Sequence, residues 1–304
     1  MRSQHSAKTP AQTLTSPVSL GDGNFNVVNS DANASITLGN GNSTVLETAA
    51  GATITLGNGN DRITALGGHT TVSGGTGDMR INLAGTDNKV TLAGNAGANS
   101  DLTSVYAGSG SSTVSAGDGN YAVTAGGGGN TITIGNGLGA VAVGGSGNAV
   151  TTGSGTHAVI AGDWLSGATA DTINLGAGTN YVFLNGSGNT VKDGSGQDTI
   201  FTGGAGNDTF VANAAGGTDV IHGFSLTNGD KLDLSGLLAS AGVSSDLSNL
   251  GSFVTATSQT AARNPGVTDT VLKVSGATAT ATITLVSSGT ISVADLVSHS
   301  SVIV

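Results

Sequence analysis

Residues 36–72 read ITLGNGNSTVLETAAGATITLGNGNDRITALGGHTTV, and an aliphatic residue returns at every ninth position: Ile36, Val45, Ile54, Ile63 and Val72. A Gly-Asn-Gly-Asn tetrapeptide precedes Val45 and recurs before Ile63. Glycine accepts positive φ and lets backbones approach closely, which suits a tight turn. Side chains alternate along a strand. The pattern therefore predicts a glycine turn followed by a three-residue strand whose middle residue points inward.

The nine-residue spacing extends over most of the chain. It holds in three blocks, 18–90, 105–159 and 173–210, with a last step of ten to Phe210. Two such units make an 18-residue coil, and a repeat of this length indicates a solenoid. We therefore predict an all-β fold, a right-handed parallel β-roll or β-solenoid of nonapeptide repeats over residues 18–216, capped by a small C-terminal β domain. Loops are expected at 91–104 and 160–172, and a flexible tail at 1–17.

Composition narrows the function classes. The chain has 304 residues, of which 52 are glycine and none is cysteine, with a formal net charge of −10. So much glycine disfavours helices, and the absence of cysteine removes disulfides and thiol chemistry. The acidic balance argues against nucleic-acid binding. We expect no membrane span, because no apolar run has the necessary length. We also expect no N-terminal signal peptide, because the first residues lack an apolar segment.

The unit that ends at Phe210 resembles the nonapeptide of the RTX proteins, a calcium-binding β-roll family with the pattern G-G-x-G-x-D-x-U-x. Residues 203–211, Gly-Gly-Ala-Gly-Asn-Asp-Thr-Phe-Val, fit every fixed position. The segments 217–224 and 228–236 resemble the closing region of such rolls. Residues 217–304 also resemble a C-terminal type I secretion targeting domain, through the segments 269–274, 282–285, 292–297 and 302–304.

This resemblance implies a protein secreted through the type I apparatus of a Gram-negative bacterium and folded by calcium outside the cell. In such rolls the ligands are turn carbonyls and the aspartate two residues before the inward residue. Spacing places Asp171, Asn189 and Asp208 on one side of the roll and Asn180, Asp198 and Asp219 on the other. The candidate calcium ligands are Asp171, Asn180, Asn189, Asp198, Gly204, Gly206, Asn207, Asp208 and Asp219.

Other polar turn residues have simpler interpretations. Asp61 has Ser43 and Met79 as stacking neighbours, so we expect a solvated turn residue. Elsewhere, asparagine at this position is explained by its tolerance of left-handed turns. Asp230 and Asp233 are either acidic residues of the family's closing segment or parts of an ordinary β-turn.

The two outward faces of the predicted roll differ. One carries a flat array of threonine and serine, which resembles the ice-binding face of some β-solenoid antifreeze proteins; solvated strands also favour threonine. The candidate face residues are Thr53, Thr55, Thr71, Thr113, Thr131 and Thr133. The other face becomes apolar around Tyr181, Phe183 and Phe201. This patch is either covered by the C-terminal domain or a docking surface. Trp164 is either a loop anchor or a contact to a ligand or subunit.

No catalytic constellation is present in the sequence, and the roll leaves no room for a preceding catalytic domain, so we expect no enzyme. The leading hypothesis is a secreted or cell-surface structural subunit that self-assembles into a homo-oligomer or polymer, as in a surface layer, biofilm matrix or filament. The alternative is a secreted binding or adhesion module, with ice as the named candidate. A calcium-responsive effector is a third, weaker reading.

Overall fold

The computed structural model describes residues 11–95, 102–162, 170–204, 206–241, 247–261, 264–276, 279–286 and 288–304. The chain forms two compact units, residues 1–140 and 141–304. The fold is all-β: a parallel β-solenoid of about 11 turns, with roughly 18 residues per coil, and a small C-terminal antiparallel β region. The predicted fold class is therefore confirmed.

In its described residues the first unit contains the short strands β1 to β14, which alternate between two parallel sheets, and the start of β15. The odd-numbered strands pair in sequence order in one sheet, and the even-numbered strands pair in the other. The strands are β1 (Gln12–Thr13), β2 (Val18–Leu20), β3 (Asn26–Asn29), β4 (Ser35–Leu38), β5 (Thr44–Glu47), β6 (Thr53–Thr55), β7 (Arg62–Ala65), β8 (Thr71–Thr76), β9 (Arg80–Leu83), β10 (Lys89–Gly94), β11 (Thr103–Tyr106), β12 (Thr113–Ala116), β13 (Tyr121–Ala125) and β14 (Thr131–Ile134).

The residues of the nine-residue spacing form the core, and every one of them from Val18 to Phe210 is buried. Equivalent residues pair across neighbouring strands, as Ile36 does with Ile54. Many strands are longer than the three residues predicted. In β4 both Ile36 and Leu38 are buried, so such a strand contributes two inward residues. Each buried aliphatic side chain contributes about 1.5–3 kcal/mol relative to an exposed one.

Glycine is required where the turns of successive coils touch. Gly59 has φ of +151°, and a Cβ there would lie 2.0 Å from the carbonyl oxygen of Gly41 on the preceding coil. No larger side chain fits such a contact. The Gly-Asn-Gly-Asn pattern therefore reflects both the turn conformation and the close stacking of the turns.

The second unit continues the same design. Strand β15 (Gly137–Val143) contains the division between the units. The later strands are β16 (Ala149–Thr152), β17 (Gly155–Ala161), β18 (Thr172–Asn174), β19 (Gly178–Leu184), β20 (Thr190–Lys192), β21 (Gln197–Phe201), β22 (Thr209–Val211), β23 (Gly217–His222), β24 (Lys231–Asp233), β25 (Val254–Ala261), β26 (Asn264–Ser275), β27 (Thr280–Val286) and β28 (Val302–Ile303).

The C-terminal region differs from the separate cap expected over 217–304. β23 and β24 form a further pair of coil strands beyond residue 216, joined in parallel to β21 and β22. β27 then adds in parallel to β23, and β28 adds to β24. β26 and β25 continue the first of these sheets in antiparallel fashion. The C-terminal strands thus extend the two sheets of this unit.

Three short helices lie between these C-terminal strands. They are α1 (Ser235–Ser240), a 3₁₀ helix (Leu247–Ser252) and α2 (Val293–Ser298). A reciprocal capping box between Ser292 and Asp295 starts α2. Within the described ranges, none of the helices is long and apolar enough to cross a membrane.

The other predicted boundaries need smaller corrections. β1 lies inside the expected tail 1–17 and pairs with β3. β10 continues to Gly94 and β11 starts at Thr103, so the expected loop at 91–104 is narrower. β17 likewise reaches Ala161, and β18 starts at Thr172. Trp164 lies outside the described residues.

Candidate functional site: buried polar columns and two outward faces

Two columns of buried polar side chains stand at the turns of the second unit. The odd column comprises Asn180, Asp198 and Asp219, which lie near the starts of strands β19, β21 and β23 and pair in register. The even column precedes even-numbered strands and comprises Asp171, Asn189, Asp208 and Asp230. All of these side chains are buried. The predicted stacking on two sides is confirmed.

The columns are hydrogen-bonded ladders along the solenoid. In the even column, Oδ1 of Asn189 accepts the N–H of Asp171 at 3.1 Å, and Oδ1 of Asp208 accepts the N–H of Asn189 at 2.9 Å. In the odd column, Oδ1 of Asp219 accepts the N–H of Asp198 at 3.2 Å. One side-chain oxygen therefore satisfies the backbone donor of the neighbouring coil, which a buried N–H needs.

Asparagine and aspartate differ in their second polar side-chain atom, which is the donor Nδ2 in asparagine and the acceptor Oδ2 in aspartate. Nδ2 of Asn148 donates to the turn carbonyl of Gly144 at 2.9 Å. In the first unit, Nδ2 of Asn130 donates to the carbonyls of Gly126 and Gly127, at 3.2 and 3.0 Å. Asparagine thus supplies a donor to the carbonyls of its own turn. Aspartate has an oxygen in place of that donor.

The second oxygen of three column aspartates has no donor group. Oδ2 of Asp171, Asp208 and Asp219 is buried and receives no hydrogen bond from an N–H or hydroxyl group in the described part of the chain, and the carboxyl group of Asp219 contacts that of Asp193. Burial raises the pKa of Asp171, and it raises the pKa of Asp208 to about 6. A buried carboxylate oxygen without a donor is costly. Either a proton or a cation would complete these positions.

Two column aspartates are already satisfied. Asp198 accepts Nδ2 of Asn180 at 2.7 Å on one oxygen and the N–H of Gly194 at 3.2 Å on the other. Asp230 accepts the N–H groups of Asp208 and Ser225, at 3.0 and 2.9 Å. Each oxygen of Asp198 and of Asp230 thus accepts one hydrogen bond.

The other predicted ligands lie in the turn before Asp208. Gly204, Gly206 and Asn207 have φ of 76°, 80° and 57°, which gives a left-handed turn. The carbonyl of Gly204 accepts Nδ2 of Asn228 at 3.1 Å, and that of Gly206 accepts the N–H of Gly188 at 3.2 Å. Both carbonyls retain a lone pair, because each accepts two hydrogen bonds at most. The side chain of Asn207 is exposed.

Sequence reasoning missed Asp193 and misplaced Asp61. Oδ1 of Asp193 is buried without a partner, and burial together with the neighbouring carboxylate of Asp219 raises its pKa. Asp193 occupies the first glycine position of the repeat 193–198, a departure that could have singled it out.

Asp61 is only 3% exposed, so the solvated turn residue expected there is wrong. Asp233 accepts the N–H of Ser235 at 3.0 Å at the start of α1.

Carboxylates are neighbours in both columns, as Asp208 and Asp230 are in the even column and Asp198 and Asp219 in the odd column. Across the described ranges, no three histidine, aspartate or glutamate side chains gather in a way that could hold a metal ion. Calcium uses six to eight oxygens, including backbone carbonyls. The donor set that fits it here is the unpartnered Oδ2 of one column aspartate together with turn carbonyls and water.

The even-numbered strands of the first unit present a regular hydroxyl array outward. Thr53 pairs with Thr71, and Thr113 pairs with Thr131, in exact register. The two positions that flank the inward residue of each even-numbered strand from β4 to β14 carry a hydroxyl at eleven of twelve places, and Lys89 is the exception. The twelve residues are Ser35, Thr37, Thr53, Thr55, Thr71, Ser73, Lys89, Thr91, Thr113, Ser115, Thr131 and Thr133.

The odd-numbered strands of the second unit carry an aromatic ridge. The rings of Phe183 and Phe201 stack with centroids 4.8 Å apart, and Phe201 stacks on His222 at 4.5 Å. Tyr181 and Phe183 remain 42% and 39% exposed. The expectation that the C-terminal region covers this patch is therefore wrong.

Comparisons of the chain with protein-family models, with curated proteins and with solved structures found no match.

Proposed function

We propose that the chain is a secreted, non-enzymatic calcium-binding β-roll protein of the RTX type, which acts as a self-assembling structural subunit outside a Gram-negative cell. The observation that carries the proposal is the unpartnered, buried Oδ2 of Asp171, Asp208 and Asp219. Export through the type I apparatus by the C-terminal segment is part of the proposal and rests on the resemblance of residues 217–304.

Calcium binding explains why the column positions carry aspartate, although asparagine there could donate a hydrogen bond to the turn carbonyls. At Asn130 and Asn148 the amide donates to turn carbonyls. At Asp208 the same place holds a carboxylate oxygen without a donor, and a bound cation would satisfy it. Ligands that bind only the folded state stabilise it. Calcium would thus favour folding outside the cell, where it is abundant.

Self-assembly is supported by the last strand of the odd-numbered sheet. β25 forms the edge of that sheet in the second unit. Its eight residues, Val-Thr-Ala-Thr-Ser-Gln-Thr-Ala, include no charged residue and no proline. An uncharged edge strand invites pairing with another chain, because its backbone groups on one side lack partners. The exposed aromatic ridge offers a second contact surface.

Electron microscopy and size-exclusion chromatography of the protein with and without calcium test this proposal. We expect extended assemblies in millimolar calcium and unassembled protein after chelation. A strict monomer in millimolar calcium would contradict self-assembly. Identical folding in calcium and in chelator would contradict the metal.

The hydroxyl array favours a second candidate function, the binding of ice. Its threonines form two straight rows across the sheet. Side chains within a row are about 4.8 Å apart, the strand spacing, and the two rows are about 6.6–6.8 Å apart along the strands. Such a fixed, nearly uncharged lattice suits a periodic surface better than a single small ligand. Lys89 is the one charged side chain in the array.

Thermal hysteresis measurements test the ice hypothesis. If the array binds ice, the wild type shows hysteresis, and Thr53→Tyr or Thr131→Tyr removes most of it because the bulky ring breaks the flat lattice. The matched control is Thr199→Tyr on the opposite sheet. Absence of hysteresis in the wild type would end this candidate.

A further inference from the structure

Two arginines lie side by side on the outward face of the odd-numbered sheet in the first unit. Arg62 on β7 pairs in register with Arg80 on β9, and both side chains are exposed. Like charges directly opposite each other on neighbouring strands destabilise a sheet. The chain has only nine lysines and arginines in total, so this pair of cations on one spot is conspicuous.

Within the described ranges, neither guanidinium has a carboxylate partner. No hydrogen bond or ion pair joins the Arg62 or Arg80 side chain to another described side chain. The outward positions of the odd-numbered strands from β5 to β13 include no carboxylate. An anionic ligand that bound both guanidinium groups would relieve the repulsion between them.

The surroundings of the pair form a shallow depression of about 850 Å³. Beside the arginines it offers neutral hydrogen-bonding groups on Thr64, Asn82 and Ser104. At one end stand Leu102 and Tyr106, which are 53% and 43% exposed. The depression thus combines guanidinium groups with hydroxyl and amide groups and with an apolar wall.

We propose that this depression binds an acidic polysaccharide, with carboxylates of its uronic acid residues on Arg62 and Arg80. A guanidinium matches a carboxylate in a two-pronged geometry. Hydroxyl and amide side chains suit sugar hydroxyls, and the wall of Leu102 and Tyr106 suits the C–H face of a sugar ring.

The lining of the depression favours this ligand over other anions, because a sugar brings hydroxyl groups to Thr64, Asn82 and Ser104 and a C–H face to Leu102 and Tyr106. A nucleic acid needs many phosphate contacts for its affinity, and this depression offers two arginines.

Isothermal titration of the full chain with tetragalacturonate, in millimolar calcium, tests the proposal. We expect binding by the wild type, about tenfold weaker binding by Arg62→Gln/Arg80→Gln, and partial recovery in Arg62→Lys/Arg80→Lys. The matched control, Lys192→Gln/Lys231→Gln, removes the same charge from the other sheet and should bind like the wild type. Circular dichroism verifies that each variant is folded.

The outcomes that would overturn the site are equally definite. They are absence of wild-type binding, equal binding by the Arg62→Gln/Arg80→Gln variant, or equal affinity for neutral maltotetraose, tetra-aspartate or inorganic phosphate. The site lies in the first unit and does not depend on the polar columns of the second. Its failure would leave the calcium proposal standing, and the converse also holds.

Discussion

At the buried turn positions, the second polar atom of the side chain decides whether all polar groups of the turn have hydrogen-bond partners. Asparagine has an amide nitrogen there, and aspartate has a carboxylate oxygen. Asn130 donates to the carbonyls of its own turn. Asp61 stands at the equivalent position of another coil; its Oδ1 accepts the N–H of Ser43 at 2.7 Å, and its Oδ2 has no partner. Asp61 therefore carries the cost that Asn130 avoids.

We predict that Asp61→Asn stabilises the metal-free protein at pH 7 by about 1–3 kcal/mol, the cost of an unsatisfied buried polar group. The amide has the same shape and replaces the unpartnered Oδ2 by an N–H group that can donate to carbonyls of its own turn, as that of Asn130 does. Chemical denaturation at pH 7 measures the change in the free energy of unfolding. The reverse substitution in a matched coil, Asn130→Asp, should destabilise by a similar amount.

The effect of Asp61→Asn should depend on pH. Burial raises the pKa of Asp61 above its usual value of 3.8. The protonated form is favoured in the folded state, so this stability is fully present below about pH 4 and is lost as pH rises through the raised pKa. The gain from Asp61→Asn should therefore shrink toward pH 4. An equal gain at pH 4 and pH 7 would show that Asp61 is not a buried, titrating group.

The sequence could have predicted the burial of Asp61. Ile63 points inward, and side chains alternate along a strand, so a residue two positions earlier also points inward. Reasoning from stacking neighbours alone missed this. The sequence could not predict which aspartates have a hydrogen-bond donor on their second carboxylate oxygen. That depends on whether a backbone N–H lies within reach, as the N–H of Gly194 does for Asp198.

At the scale of the element, the glycine turn is fixed by contact between coils as well as by its own conformation. Gly59 combines a positive φ with a Cβ position 2.0 Å from the Gly41 carbonyl. Gly21 has open space around its Cβ position. Gly21 also lacks a positive φ, so the two glycines compare a strained and crowded turn position with an unstrained and open one.

We predict that Gly59→Ala lowers the free energy of unfolding by at least about 1–3 kcal/mol, from the strained backbone alone, whereas Gly21→Ala has little effect. Urea denaturation of both variants measures the difference. Equal stability of the two would contradict the close stacking of the turns.

The regular strands were predictable because one aliphatic residue marks each of them. The C-terminal elements were not, because the steps from Phe210 to Ile221 and from Ile221 to Leu232 are eleven residues. Longer turns hide the repeat, although β23 and β24 still pair in register with β21 and β22. β27 and β28 pair with β23 and β24, which lie tens of residues earlier in the chain. No local sequence pattern predicts such pairing.

At the scale of the whole molecule, assembly depends on open strand edges. We predict that Thr257→Lys/Gln259→Lys in β25 abolishes calcium-dependent assemblies without unfolding the protein, because charge on an edge strand opposes pairing. Both side chains are exposed. Electron microscopy gives the result, and Thr55→Lys on the hydroxyl array is the control, which should still assemble. Normal assembly of the β25 variant would exclude this edge as the contact.

The central claim is that calcium completes the column aspartates, and calorimetric unfolding in chelator and in calcium tests it most directly. We predict that calcium stabilises the wild type, by about 2.7 kcal/mol for one site at a concentration 100 times the dissociation constant. The triple variant Asp171→Asn/Asp208→Asn/Asp219→Asn should be more stable than the wild type in chelator and should gain nothing from calcium. An unfolding temperature of the wild type that is the same in calcium and in chelator, or an equal gain in the triple variant, would contradict the account.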